Sequence, residues 1–273
     1  MSIQEIVRIL TDSGIEENEA VQEVKMLIEH FCNYTAKDII MGKSLDYEKL
    51  KTVKQKAELR AKTKQPIQYI IGKAYFMGNY YKVSPDVLIP RDETEIVVRH
   101  AIDIITQNSL KNILDIGSGT GCIACAIAEA TKCNVTSVDI SSKAISIAKE
   151  NAKNLFLNIR FIESDLFSAL SNEKFDLIIS NPPYIPKGTE LQKEVSFEPE
   201  TALFTNDVDG TEYYKKIIEK GKYHLTEGGY IVFELGINQS ETVKSYFEQN
   251  GYTNITVEKD LAQIDRVISG KLI

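Results

Sequence analysis

Asn112-Ile113-Leu114-Asp115-Ile116-Gly117-Ser118-Gly119-Thr120-Gly121 decides the fold. Its first five residues make an apolar run of strand length, and the glycines that follow make a tight turn into a helix over Cys122 to Ala130. The same strand-then-helix period recurs downstream. Asn134 to Asp139 is a second strand, Ser141 caps a helix carrying Ala144, Ile147 and Ala148, and Arg160-Phe161-Ile162 is a third strand. Phe175 to Ile179 is a fourth. A helix with Tyr213, Ile217 and Ile218, a strand Tyr230 to Glu234, a helix near Glu241 to Glu248, and strands near Ile255 to Val257 and Arg266 to Ile268 complete the pattern. Repeated βα units with buried-type strands predict a doubly wound, mostly parallel sheet. The last two strands leave no room for a crossover helix, so one of them is predicted to run antiparallel at or near the edge.

Upstream the period is helical. Ser2 caps a helix with Ile3, Ile6, Val7 and Leu10 on one face, and Val21, Val24, Leu27, Ile28 and Phe31 mark a second. A short third helix is expected over 35–41, stopped at Gly42, and Asp46 caps a longer one with Leu50, Val53, Ala57 and Leu59. That helix carries Lys49, Lys51, Lys54, Lys56, Arg60, Lys62 and Lys64, which reads as a solvated face, with docking on an acidic protein or RNA as the alternative. Pro66 to Gly72 breaks the helical pattern. Ala74 to Phe76 and Tyr80 to Val83 read as a hairpin through Met77-Gly78-Asn79. Leu88 to Glu95 is a charged loop entering a helix with Ile96, Val97, Ile102 and Ile105, with Thr94 or Asp92 as its cap. The expected division is a helical bundle over 1–72 for substrate docking, a hairpin linker over 73–85 and the α/β domain over 86–273.

A chain of 273 residues can bury a full core in one large and one small domain. Its net charge of -7 disfavours a broad grip on nucleic-acid phosphates. The first residues, Met1-Ser2-Ile3-Gln4-Glu5, do not form a signal-type n-region and h-region, and no apolar run reaches membrane-spanning length, so the expectation is a cytoplasmic protein free of membrane. The three histidines lie far apart without metal-ligand spacing, and no metal is expected. Cys122-x-x-Cys125 falls inside the helix after the glycine turn, where small packing residues are expected.

The glycine turn lets the backbone approach a ligand and aims helix N-terminal amides at it. Asp139, ending the next strand, stands where a carboxylate can accept both hydroxyls of a ribose. The pair suits a dinucleotide or S-adenosylmethionine. A dinucleotide fingerprint spaces its last two glycines more widely. Asp165, in Asp165-Leu166-Phe167, is either an acceptor for an adenine amine with Leu166 or Phe167 covering the ring, or a helix cap. Ser180-Asn181-Pro182-Pro183-Tyr184, at the carboxyl end of the fourth strand, suits a planar NH2 group. The Asn181 side-chain oxygen accepts one N–H, the Pro182 carbonyl the other, and Tyr184 offers a flat face. A sulfonium methyl leaves readily, whereas an amide or aryl-amine nitrogen has a delocalised lone pair that must be presented in line. Asn181, Pro182 and Tyr184 are therefore the candidate catalytic group.

These motifs, with Pro66 to Gly72, Val87 to Glu95, Asp115 to Gly121, Asn181 to Pro186, Phe197-Glu198-Pro199 and Asp265-Arg266-Val267, resemble the HemK/PrmC family of protein-(glutamine-N5) methyltransferases nearly end to end. The resemblance implies an N-terminal helical bundle joined by a hairpin to a seven-stranded α/β S-adenosylmethionine-dependent methyltransferase domain. It implies that Gly117, Ser118, Gly119, Thr120, Gly121 and Asp139 bind S-adenosylmethionine, that Leu166 lies by its adenine, and that Asn181, Pro182, Pro183 and Tyr184 hold the glutamine of a Gly-Gly-Gln loop in class I peptide chain release factors. It also implies that the Arg91 to Glu95 loop lies near the cofactor. Asp165 and Asn181 are also expected among the cofactor-binding residues, and the chain is expected to be a monomer. Asp92 stands where the family usually has proline, Thr205-Asn206 replaces a common glycine pair, and Gln263 sits near an expected glycine, which bears on loop rigidity. The rival readings are an adenine-N6 nucleic-acid methyltransferase, which would use the same Asn-Pro-Pro-Tyr device on a flipped base, and a non-catalytic binding protein.

Overall fold

The computed structural model describes residues 2–273 except 36, 39, 40, 44 and 45. The short helix expected over 35–41 includes positions outside the described residues. Two compact units result, one of Met1–Lys73 with Leu191–Phe197, the other of Ala74–Glu190 with Glu198–Ile273.

The first unit is built on the helices Ile3–Thr11, Glu17–Cys32, Tyr47–Thr63 and Ile67–Ile71. Ser2 Oγ accepts from Glu5 N at 3.2 Å, and Asp46 Oδ1 accepts from Glu48 N at 2.8 Å, so both expected caps form. Ile6, Leu10, Val24, Leu27, Ile28, Leu50, Val53 and Ala57 bury their side chains together, because their spacing puts them on the facing sides of three helices. Leu59, expected in that core, is exposed. Pro66 starts a short helix instead of merely ending one, since its missing N–H is an orphan at a helix start anyway. Arg60 does not share the solvated face of the lysines. It is fully buried, its Nη2 2.9 Å from Glu23 Oε1 and 2.6 Å from Glu194 Oε1, with Glu19 at 3.8 Å. Those carboxylates are what make a buried guanidinium tolerable, and Glu194 comes from the far loop segment Leu191–Phe197.

In the second unit, β1 (Lys73–Phe76) and β2 (Asn79–Lys82) form the hairpin. The main sheet has β3 (Asn112–Ile116), β4 (Asn134–Asp139), β5 (Arg160–Glu163), β6 (Phe175–Ser180), β9 (Leu225–Glu234), β10 (Tyr252–Lys259) and β11 (Asp265–Leu272). Its order is β10-β11-β9-β6-β3-β4-β5. β3 pairs in parallel with β4 and β6, β4 with β5 and β6 with β9, whereas β11 runs antiparallel to both β9 and β10. The antiparallel strand expected near the edge is therefore β11, with β10 outside it.

Alternate residues of the central strands enter opposite core layers. Ile113, Leu177, Ile179, Val232 and Val267 face the helices Asp92–Asn108, Cys122–Thr131 and Ser142–Asn154; Leu114, Ile178, Ile231, Phe233 and Ile268 face Glu212–Gly221 and Ser240–Gln249. A sheet covered on both faces needs apolar residues at both phases of the pleat, which is why its strands read as continuous apolar runs. Cys122 and Cys125 are buried in the first layer as packing residues, and burial pushes the Cys122 thiol up to about 12. The long stretch after β6 is pinned at its ends by β7 (Ile185–Pro186) and β8 (Phe204–Thr205), which pair in parallel.

Cutting one side of the Arg60 cluster leaves a buried charge unpaired. Arg60→Ala is expected to lower the unfolding free energy of the first unit by about 3–5 kcal/mol, and replacing Arg60 and Glu23 together by Met and Leu is expected to restore most of it, as read by urea denaturation.

Candidate active site

The strand order reverses between β3 and β6. β3 continues to β4 and β5 on one side, while β6 lies on the other, and ligands of open α/β sheets bind at the carboxyl ends beside such a reversal. The glycine loop leaves β3 there and Asn181–Tyr184 leaves β6. Ser180 Oγ donates to the Ile116 carbonyl at 2.6 Å, tying the two exits together.

The loop is anchored from beneath. Gly117 N and Ser118 N both donate to the Val138 carbonyl, at 2.8 and 3.0 Å. Ser137 Oγ donates to Asp115 Oδ2 at 2.6 Å, and Ser118 Oγ lies 2.5 Å from Ser137 Oγ. Since Ser137 spends its one proton on Asp115, Ser118 donates to Ser137. Asp115 is fully buried, its Oδ1 has no hydrogen-bond partner, and burial pushes its carboxyl up to about 7. Gly121 holds φ 79 as the helix N-cap, and a Cβ there would stand 3.0 Å from Ala148 Cβ. The left-handed backbone and the close approach of Ala148 both favour glycine at that point.

One cavity is lined by Gly117, Ser118, Gly119, Thr120, Asp139, Asp165, Leu166, Asn181, Pro182 and Pro183. Gly121 and Tyr184, the other expected site residues, do not line it. Tyr184 packs beside Gly236, where a Cβ would come within 2.9 Å of its ring, and burial pushes its hydroxyl up to about 12. Its carbonyl accepts from Gln239 Nε2 at 3.0 Å, a donor that also reaches the Asp209 carbonyl at 3.0 Å.

Asp139 is braced at both oxygens. Oδ2 accepts from Gly119 N at 2.9 Å and Oδ1 from Ser141 N at 2.8 Å, while burial still raises its carboxyl pKa. Each oxygen keeps a lone pair for a diol in the cavity. Ile140, which also lines the cavity, and Leu166 supply apolar surface for a purine. Leu166 is held at φ 50, where its carbonyl accepts from Ser164 Oγ at 2.9 Å. No helix follows Asp165, so its alternative reading as a helix cap lapses; in the turns that follow, Ser164 Oγ accepts from Ala169 N at 3.1 Å. A diol acceptor, an apolar wall and an amine acceptor around one glycine loop fit an adenosine-bearing group.

Several residues here escaped the reading of single motifs. Thr94 does not cap the helix Asp92–Asn108, and neither does Asp92: the N-cap is Arg91, without a side-chain bond. The Thr94 hydroxyl instead donates to Glu234 Oε2 at 2.5 Å and lies 3.3 Å from Asn181 Nδ2. Arg91 Nη2 donates to both oxygens of Glu198, at 2.6 and 2.7 Å, which brings Pro199, Thr201 and Ala202 to the cavity wall. Arg91 and Glu198 both lie inside motifs quoted above, but nothing in the sequence joins them. Among the described residues no cluster of His, Cys, Asp and Glu could hold a metal ion, and no helix is long and apolar enough to cross a membrane.

Asp115 binds its proton more tightly in the folded chain than in the unfolded one. Stability from this group is therefore fully present below about pH 4 and falls as pH rises to about 7. Asp115→Asn is expected to remove that fall, so its stability relative to the wild type should rise by on the order of 1–4 kcal/mol between acid and neutral pH in thermal unfolding.

The model of the methyltransferase small domain matches residues 93–198. A methyltransferase structure from Pyrococcus furiosus superposes with a TM-score of 0.53 at 18% identity, covering 70% of this chain and 87% of that one, which supports the fold. The release factor glutamine methyltransferase of Fusobacterium nucleatum is 40% identical over 85% of this chain and 67% of its own length. That of Geobacter sulfurreducens is 38% identical over 84% of this chain and 81% of its own. At that identity and coverage, the chain belongs to the release factor glutamine methyltransferase family.

Proposed function

We propose that this chain transfers a methyl group from S-adenosylmethionine to the side-chain amide nitrogen of the glutamine in the Gly-Gly-Gln motif of class I peptide chain release factors. The observation that carries the reading is that Asn181 and Pro182 line the same cavity as the glycine loop and Asp139. Acceptors for a planar NH2 group thus share a cleft with a cradle for adenosine. The names of the relatives support the same substrate.

In this reading Asp139 takes the ribose hydroxyls, Asp165 the adenine amine, and Leu166 with Ile140 covers the base. The bound donor supplies an electrophilic methyl on a sulfonium. Asn181 Oδ1 and the Pro182 carbonyl accept the two N–H groups of the glutamine amide, which fixes the plane of that amide and turns its nitrogen toward the methyl. Orientation of this kind can remove about 7–11 kcal/mol of a barrier, so the reaction does not require a dedicated base: as the nitrogen takes the methyl the C–S bond would break to leave a neutral thioether, and the N-methylated amide cation, being acidic, would then release one N–H proton to water. Tyr184 contributes by holding the segment through its packing on Gly236 and its bond from Gln239. Pro183 keeps the turn stiff.

The helical unit over 1–72 serves as the docking module for the release factor, and the enzyme works as a cytoplasmic monomer without stable nucleic acid. The net charge of -7 supports the last point.

A purified release factor incubated with this protein and S-adenosylmethionine is expected to gain one methyl on the Gly-Gly-Gln glutamine by peptide mass spectrometry. Asn181→Ala should slow that gain by about 100- to 1,000-fold. An unmodified release factor beside methylated DNA or RNA would overturn the reading. Asp139→Ala should weaken S-adenosylmethionine binding by roughly 10- to 100-fold in calorimetry, since a charged acceptor contributes about 1.5–3 kcal/mol.

A further inference from the structure

The Asn181 amide has two ends, and only one suits an incoming amide nitrogen. Oδ1 accepts an N–H, whereas Nδ2 would meet it donor to donor. The side chain must therefore be held against a half-turn that exchanges the two. Nδ2 lies 3.3 Å from Thr94 Oγ1, and Thr94 Oγ1 lies 2.5 Å from Glu234 Oε2. A hydroxyl carries one proton and two lone pairs. An ionised Glu234 takes the proton, so Thr94 offers Asn181 only lone pairs. The amide then has to present Nδ2 to Thr94.

We propose that Thr94 and Glu234 are positioning residues that set the Asn181 amide with its oxygen free for the nitrogen to be methylated. This rests on the reading of Asn181 given above. Thr94 is 3% exposed and Glu234 2%, so water does not compete for the relay. The three groups come from the helix Asp92–Asn108, the end of β9 and the exit of β6, each fixed by the packed core. The relay also gives a use to a buried carboxylate that is otherwise costly.

The same geometry makes the site sensitive to acid. Burial pushes Glu234 up to about 7, and the groups that face it are Glu93 and Arg91 beside Thr94, Arg266 on β11, and the hydroxyls of Tyr184 and Tyr214. Once protonated, Glu234 can donate to Thr94. The Thr94 proton is then free to turn to Asn181 and to favour the reversed amide.

The test is steady-state methylation of a release factor by the full chain, with calorimetric S-adenosylmethionine binding and thermal unfolding run alongside. Thr94→Val is expected to lower kcat by about 10- to 100-fold while KM for the release factor and Kd for S-adenosylmethionine stay within about twofold. Thr94→Ser, which keeps the hydroxyl, is expected to recover most of kcat. Wild-type kcat should fall on the acid side with an apparent pKa near 7, and Glu234→Gln, which keeps an acceptor oxygen but cannot titrate, should remove that limb. Undiminished kcat in Thr94→Val, a Thr94→Ser enzyme as slow as Thr94→Val, or an acid limb that persists in Glu234→Gln overturns the proposal. If Thr94→Val does not fold, the Glu234→Gln profile decides. A wild-type chain inactive on the glutamine overturns the functional reading and this proposal together, whereas an active wild type with an unimpaired Thr94→Val overturns this proposal alone.

Discussion

Ser180 Oγ reaches the Ile116 carbonyl across two parallel strands whose register pairs Ile116 with Ser180. Everything chemical in the second unit follows from that pairing. Because β3 and β6 are neighbours in space and far apart in sequence, the residues that leave them, Gly117 and Asn181, begin side by side. A Cβ on Gly117 would stand 3.8 Å from the Asn181 backbone carbonyl. A one-residue slip would exchange the faces of β6, bury its polar exit and carry Asn181 away from the loop. The apolar layers on both faces of the sheet make such a slip costly, so the core that stabilises the fold also sets the geometry of the site.

Around that exit the chain buries three carboxyl groups. Asp115 lies under the glycine loop, Glu234 behind Asn181, and Glu198 against Arg91, and burial raises the pKa of each. A core built for stability alone would use apolar residues at these places. Each carboxylate instead fixes a neighbour: Asp115 fixes Ser137 and through it Ser118, Glu234 fixes Thr94, and Glu198 fixes Arg91. The hydroxyls between the acids and the cavity have a single proton each, so an ionised acid at one end of a chain dictates the direction of every bond along it. The site gains oriented groups at the expense of stability.

The helical unit shows the same trade in another form. Lys49, Lys51, Lys54 and Lys62 follow the rule that a run of charge on a helix is a solvated face; Lys56 and Lys64 are half-buried, and Arg60 sits in that run and is buried. The rule fails there because Glu23 and the distant Glu194 supply partners, and no helical periodicity can announce a partner more than a hundred residues away. Leu59 takes the exposed position beside it.

Local patterns in the sequence, by themselves, determined the strands and helices, the doubly wound sheet, the antiparallel strand near its edge, and the gathering of Gly117, Asp139, Asp165 and Asn181 at one end. Each of these depends on short-range periodicity or on the rule that parallel strands point their carboxyl ends the same way. The tertiary structure alone decided that Gly121 serves helix packing, that Tyr184 lies off the cavity wall, that Thr94 serves Glu234 and not a helix start, and that Ser164, not Asp165, takes the Ala169 amide in the turn after β5. The physical reason is common to all four. A hydrogen bond or a close contact between distant segments leaves no period in the chain, so its partners become visible only when packing has brought them within a few ångströms.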